Sequence, residues 1–350
     1  MRTTKVHMRH EEAASHRLLL EFRAREAWSQ RDYSSAQSLA EDLASAALDE
    51  GDDLGWWNAT FFVSEALRKR GLMLKSLMVA EKLAGHSVTL ESKALSARVS
   101  TLVSLAHQGC GDLVLAVSAA HRAVQDAVSH PEEFGVEVDA RNALIAALAE
   151  SGQLDDAWEQ CVLLAEVLKR EPDSKSAGES YWAIGNVAFL LKRIADGVSY
   201  HQLAAKNLSP TNDLDLWARF NRASAALRLS AGVIEPETLE CIERAELASS
   251  IVGGTELDRI ELRLTRAQWL VLTGQFEAAI DQLGEVIAHK HLLATHTAAE
   301  AHFFLGRALS GQGRDSEARD NLEASEDLFL QSGAQERAAV ARSLMDGIGT

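Results

Sequence analysis

Apolar residues recur along the chain at helical spacing, and short polar segments, most of them bearing glycine, interrupt them at a near-constant interval. Between Gly55 and Val63, Trp56, Ala59, Thr60 and Val63 form one stripe at i, i+3, i+4 and i+7, the pattern of a helix with a single buried face. That stripe leaves Trp57 and Phe61 for a groove or a partner. The segments GQLDDA from Gly152, GQFEAA from Gly274 and GRDSEA from Gly313 each separate two such amphipathic stretches and read as helix-helix turns. The same frame fits RDYSSA from Arg31, GLMLKS from Gly71 and GDLVLA from Gly111, and more loosely KRIADG from Lys192 and GVIEPE from Gly232. The turns therefore stand at 31, 71, 111, 152, 192, 232, 274 and 313, separated by 39 to 42 residues. Unrelated helical hairpins would not keep that interval.

Each recurring feature has a physical purpose. A glycine at the turn takes the left-handed conformation that ends a helix. Two residues on, an apolar side chain such as Leu154 or Phe276 anchors the second helix. Small residues stand five after the turn (Ala36, Ser76, Ala116, Ala157, Gly197, Ala279, Ala318) and seven before it (Ala24, Ser64, Ser104, Gly185, Ala225, Ala267, Gly306), where they let two helix backbones approach closely; Ile145 is the bulky exception. The pattern predicts helix pairs at 9–30/33–50, 53–70/73–85, 90–109/112–130, 135–151/154–170, 174–192/195–208, 212–231/236–251, 255–273/276–289 and 295–312/315–332, then a final helix over 334–347. Breaks are expected at Ser129–Pro131, Arg170–Ser174, Leu208–Asp213 and Val252–Thr255, each too short to link separate domains.

A small residue on the first helix, Gly at the turn, an apolar residue two later and Ala three after that resemble the tetratricopeptide repeat. The resemblance covers about residues 15–333; at Gly232 the run Glu235-Pro236-Glu237 displaces the small residue, and Asp315 stands where the apolar anchor belongs. Repeats longer than the family's usual 34 residues look like those of bacterial regulatory proteins, including peptide-pheromone sensors of the Rap and PlcR type and the sensor regions of some large transcription activators. What the resemblance implies is an all-α fold: one right-handed superhelix of about eight antiparallel helix pairs. Residues 1–14 are read as an N-terminal arm whose order is left open, and 334–350 as a capping helix and tail with Arg337 and Arg342 facing water.

Composition narrows the function. With 35 Lys+Arg against 51 Asp+Glu in 350 residues, the net charge of −16 disfavours direct binding to nucleic acid or to an anionic membrane. At 47% hydrophobic the chain is too apolar to be disordered, and four prolines permit long helices. The three cysteines lie far apart, outside any disulfide or zinc spacing, and no signal peptide or membrane span is evident, so a cytoplasmic protein is expected. Phosphate-loop, zinc-protease and nucleophile-elbow motifs are absent, so no enzyme activity and no cofactor are expected. His289, His291, His296 and His302 form the nearest thing to a metal cluster, but their spacing does not share a helix face and exposed loop histidines are the plainer reading.

In the tetratricopeptide family, positions thirteen, ten and six before the turn point into the concave groove. Here they include Asn58, Arg98, Asn142, Trp182, Asn186, Arg219, Arg222, Gln268 and Arg307. Asn142, Trp182, Asn186, Arg219 and Arg222 come from successive repeats and could converge on one ligand. Asparagine amides grip a peptide backbone from both sides, arginine forks take carboxylates, and Trp182 offers an apolar platform. Alternatively the asparagines bond between helices, and Arg219 and Arg222 pair with Asp213, Asp215 or Glu179. The expected function is a bacterial, regulatory-type scaffold whose groove binds a protein or peptide. A second reading is a peptide-sensing regulator acting through a partner chain, since about 14 residues before the first repeat are too few for a DNA-binding domain. A metal-dependent enzyme is the remote third, and association between copies through Gly55–Val63 is left open.

Overall fold

Backbone handedness at the turns organises the chain. In the computed structural model of the protein, all eight predicted turn residues have left-handed φ, from 60° at Lys192 to 84° at Gly111. At Gly152 the amide donates to the Ala149 carbonyl at 3.1 Å, the Gln153 amide donates to Leu148 O at 2.9 Å, and the Gln153 carbonyl accepts from the Ala157 amide at 3.0 Å. One short segment thus satisfies the last carbonyls of one helix while starting the next. The amides of Asp32, Leu72, Asp112, Arg193, Val233, Gln275 and Arg314 make the equivalent bond five residues back at the other turns.

The structure describes the backbone of residues 2–129, 132–171, 175–253 and 255–348, and within these the side chains of all but 2–14, 175 and 252. The expected breaks at Pro131, at 172–174 and at Gly254 therefore lie outside the described residues, as do the side chains of the expected arm. The helices are α1 (Arg2–Ser29), α2 (Tyr33–Asp49), α3 (Asp53–Lys69), α4 (Met73–Ala84), the single turn α5 (Ser87–Leu90), α6 (Lys93–Cys110), α7 (Leu113–Val128), α8 (Phe134–Glu150), α9 (Leu154–Leu168), α10 (Lys175–Leu190), α11 (Ile194–Asn207), α12 (Leu214–Ser230), α13 (Pro236–Val252), α14 (Glu256–Leu272), α15 (Phe276–Ala288), α16 (Thr295–Gly311), α17 (Asp315–Gln331) and α18 (Gln335–Asp346). Among the described residues there is no strand. The fold is all-α, in sequential helix pairs, and two elements were not expected: α5, and a 3-10 turn at Lys290–Leu292.

The chain divides into two compact units, Met1–Val187 and Ala188–Thr350. In the first, the small positions do what their spacing predicts. Ser64 and Ser76 exchange bonds, each hydroxyl donating to the other's carbonyl at 2.8 Å, and Ser104 donates to Ala116 O at 2.8 Å. Such side-chain-to-backbone bonds across a hairpin need the two helices almost in backbone contact. A core runs from α2 through α7 around Trp56, Trp57, Leu83, Val99 and Leu102. Trp57 is fully buried, which corrects its expected place in a groove or interface. Its indole Nε1 donates to Thr89 Oγ1 at 2.7 Å, and Thr89 in turn donates to Leu83 O at 2.6 Å. The unexpected α5 is thus the element that carries the indole's acceptor. Burying roughly 200 Å² of indole at about 25 cal/mol per Å² contributes about 5 kcal/mol before entropy, several times the hydrogen bond, so the bond orients Trp57 more than it holds it.

In the second unit, a Cβ added at Gly306 would lie 2.7 Å from Leu322 Cγ and 3.1 Å from Ala318 O, so only glycine fits between α16 and α17. The final helix α18 buries Ala338 and Ala341 against this pair. Its arginines do more than face water: Arg337 donates from Nε and Nη2 to Glu300 at 3.0 and 2.7 Å, and Arg342 Nε donates to Glu326 at 2.7 Å.

Two outcomes test these contacts. Lys192→Gly should raise the urea midpoint by an equivalent of about 0.5–1 kcal/mol, the left-handed strain relieved less the glycine's extra unfolded entropy, whereas Gly152→Ala should lower it by roughly 1 kcal/mol. Thr89→Val should cost about 1–3 kcal/mol by leaving the Trp57 indole unpaired, and should shift tryptophan emission without unfolding the chain.

Candidate functional site

The groove positions expected from the turns do line cavities, and each cavity lies within one unit. In the first unit, two cavities of about 1040 and 540 Å³ share Phe61, Glu65 and Arg98 in their walls, forming one groove. Asn58 enters the larger cavity from α3, and Asn142 and Trp182 enter the smaller one from α8 and α10. Asn186, half-buried on the neighbouring turn of α10, is not in the lining of these two cavities.

Arg98 is the junction. Its guanidinium sits over Trp57 at 5.0 Å and over Phe61 at 4.5 Å, rings that are themselves stacked at 5.2 Å. Cation–π contact holds a long side chain flat there while leaving its N–H groups for a ligand. Asn142 splits the two roles expected for it: Nδ2 donates to Ser180 Oγ at 2.8 Å, the plainer interhelical use, while Oδ1 is buried with no donor from the protein. A buried acceptor in that state favours an arriving N–H.

The groove is also charged. Glu65, Asp139 and Glu179 line the smaller cavity with Arg68, Lys69 and Arg98. Asp139 is open to the groove's water but walled by protein, and this desolvation, with the nearby Glu179 charge, pushes its carboxyl up to about 6 against the pull of Arg98. Desolvation likewise raises Glu65, opposed by Arg68 and Arg98.

In the second unit, the arginines divide by partner. Arg222 donates to Asp258 at 2.8 Å with Glu261 at 3.9 Å, and Arg219 lies 3.5 Å from Asp215, one of the pairings considered above. Asp258 also closes the capping box of α14 with Thr255, so the Arg222 fork is committed to helix architecture. Arg307 and Gln268 instead enter a cavity of about 750 Å³ between α12, α14, α16 and α18. Arg307 stacks against Phe303 and Phe304 at 5.9 and 5.8 Å. Phe303 stands ten residues before the Gly313 turn, one of the groove offsets, whereas Phe304 falls outside them.

The histidines do not gather. His302 lies on the helix expected over 295–312 but is buried rather than exposed, with its Nδ1 3.0 Å from Asn321 Oδ1, and burial lowers its pKa. His289 contacts Glu285 O, and His296 lies against Phe329. Among the described residues, no three His, Cys, Asp or Glu side chains are grouped to hold a metal ion, and no helix is long and apolar enough to cross a membrane.

No protein-family model and no curated protein sequence matches the chain. Solved structures match it in fold. The apo form of RapI aligns over 83% of this chain and 96% of its own, at 12% identity and a TM-score of 0.53. A Rap protein complexed with Competence and Sporulation Factor aligns over 97% of each chain, at 12% identity and the same TM-score of 0.53. A chain of the APC/C hetero-tetramer Cut9-Hcn1 reaches a TM-score of 0.59 at 13% identity, over 91% of this chain and 55% of that one. Together with the left-handed turns, the small-residue contacts and the groove positions, these likenesses show that the chain has the fold of a tetratricopeptide repeat protein.

Proposed function

We propose that the protein is a non-enzymatic scaffold that binds a segment of a protein or peptide along its first helices. The observation that carries this reading is the groove of the first unit, where residues at two or all three of the same offsets from five successive turns line connected cavities. Repetition of one offset along a groove gives evenly spaced contacts, which suits an extended chain better than a compact metabolite. Arg98 supplies a preorganised donor, the Asn142 carbonyl an acceptor and Trp182 an apolar surface. These are the three kinds of contact a peptide requires: to a carbonyl, an amide and a side chain.

Glu65, Asp139 and Glu179 share the groove with Arg68, Lys69 and Arg98, so the charge is mixed and suits a partner segment that carries both basic and acidic side chains. The proposed place of action is the cytoplasm, and the proposed role needs no cofactor.

Partners retained by the immobilised chain and identified by mass spectrometry provide the ligand for the test. Trp182→Ala and Arg98→Ala should each weaken that partner about 30-fold or more, with unchanged melting; full retention of affinity in both variants would sink the groove assignment. The Asp139 carboxyl gives a second test. Because its folded pKa lies above the unfolded value, its contribution to stability is present below about pH 4 and lost as pH rises through about 6. Asp139→Asn should therefore melt higher than the parent at pH 7.5, and the difference should close toward pH 4.5.

A further inference from the structure

The residue twelve before each turn marks where one hairpin packs on the hairpin before it. Ala59, Val99, Ala140, Ser180, Phe220, Leu262 and Ala301 occupy that offset, and none is more than 6% exposed. Ala140 packs on Ala97, Ala123 and Ala127 of α6 and α7, and Ala301 belongs to the apolar cluster of α14 and α15. Among the described residues, no earlier hairpin covers α1. Its residue at this offset is Leu19, and it is 46% exposed. Phe22, one turn on, is 64% exposed, and Leu18, at the edge of the larger cavity of the first unit, is 67% exposed. At helical spacing the three share the face of α1 opposite the buried Leu20, Ala24 and Ala27. A terminal repeat ordinarily turns a polar face outward, as α18 does, where exposed Gln335, Glu336, Ser343 and Asp346 accompany Val340. The outer face of α1 is instead that of an internal repeat.

We propose that this face joins two copies of the chain, α1 of one packing antiparallel on α1 of the other about a two-fold axis near residues 23 and 24. Charge complementarity favours a second copy as the occupant. One flank of the apolar stripe carries Glu21 and Arg25, the other Arg23 and Glu26. Like flanks meet in an antiparallel pair, so each carboxylate faces a guanidinium of the other copy. Glu21 and Arg25 already bond within α1, an exposed pair that two pairs across the axis can replace. The four charges cancel, so the net charge of −16 on each chain is not concentrated where the copies meet. Antiparallel helix dipoles oppose one another favourably as well. The residues before Ser15 continue α1 along its own axis from Arg2, so they do not fold back over the face. Nor is the stripe in Gly55–Val63 left for association, because Trp56, Trp57, Ala59 and Val63 are buried within the chain.

The test is the mass of the full chain in solution, followed by analytical ultracentrifugation from about 1 to about 100 µM. The parent chain should dimerise. Phe22→Glu, at an exposed position, should weaken the dimer about 30-fold or more, with circular dichroism confirming an intact helical fold. Arg23→Glu should weaken it about tenfold, and adding Glu26→Arg should restore it. A parallel pair, in which unlike flanks meet, is not restored by that exchange. A chain monomeric at the highest concentration, a dimer indifferent to Phe22→Glu, or no recovery in the double variant overturns the proposal. So does a monomer that retains a different protein through Phe22, which would assign the face to a heterologous partner.

Discussion

Everything in this molecule hangs on a turn in which a single left-handed residue lets one helix end and the next begin within three positions. The six-to-one bond, such as that from Gln153 to Leu148, fixes the direction in which the second helix leaves, and the carbonyl of the same residue then accepts from the small residue that follows. Because the hairpin angle is set by the backbone, the packing that follows has little latitude. The helices meet at a separation only Ala, Ser or Gly can fill. That is why Ala36, Ala116, Ala157, Ala279 and Ala318 are all fully buried.

Close helix packing also determines what remains for binding. With small residues consumed in the hairpin seam, larger side chains on the first helices are displaced to the groove side. The two units use them differently. The first sets Arg98 among three carboxylates and two further cations, Arg68 and Lys69, while the second pairs Arg222 and Arg337 with carboxylates and rests Arg307 on aromatic rings. Shared architecture therefore does not impose a shared ligand chemistry.

Most of the fold was legible because one backbone requirement recurs eight times, so that each weak turn signal was checked by seven others. Even RDYSSA and KRIADG, which lack glycine at the turn position, could be placed by interval alone. The groove offsets were legible for the same reason: Asn58, Arg98, Asn142 and Trp182 stand where counting back from the turns puts them. Charge partners were not legible, because they lie about one repeat away rather than one turn away. Arg222 meets Asp258 across 36 residues, Asn142 meets Ser180 across 38 and Arg337 meets Glu300 across 37. Asp215 lies one helix turn from Arg219 and is within reach of local spacing, whereas Asp258 and Glu300 are set by the stacking of repeats. Trp57 was misplaced because its acceptor, Thr89, sits on a helix too short to leave a periodic trace.

Arg31 and Lys192 hold the same left-handed backbone as the six turn glycines, but with a side chain in place. Each therefore stores strain that the fold elsewhere avoids, and a quasi-linear array distributes opening according to its weakest joints. Amide exchange in such a chain need not fray evenly from the two ends. The division between the compact units at Val187 falls within α10, and the strained turn residue Lys192 follows it within a few residues. The strained joint at Lys192 is therefore a place, besides the two ends, where exchange is expected to begin.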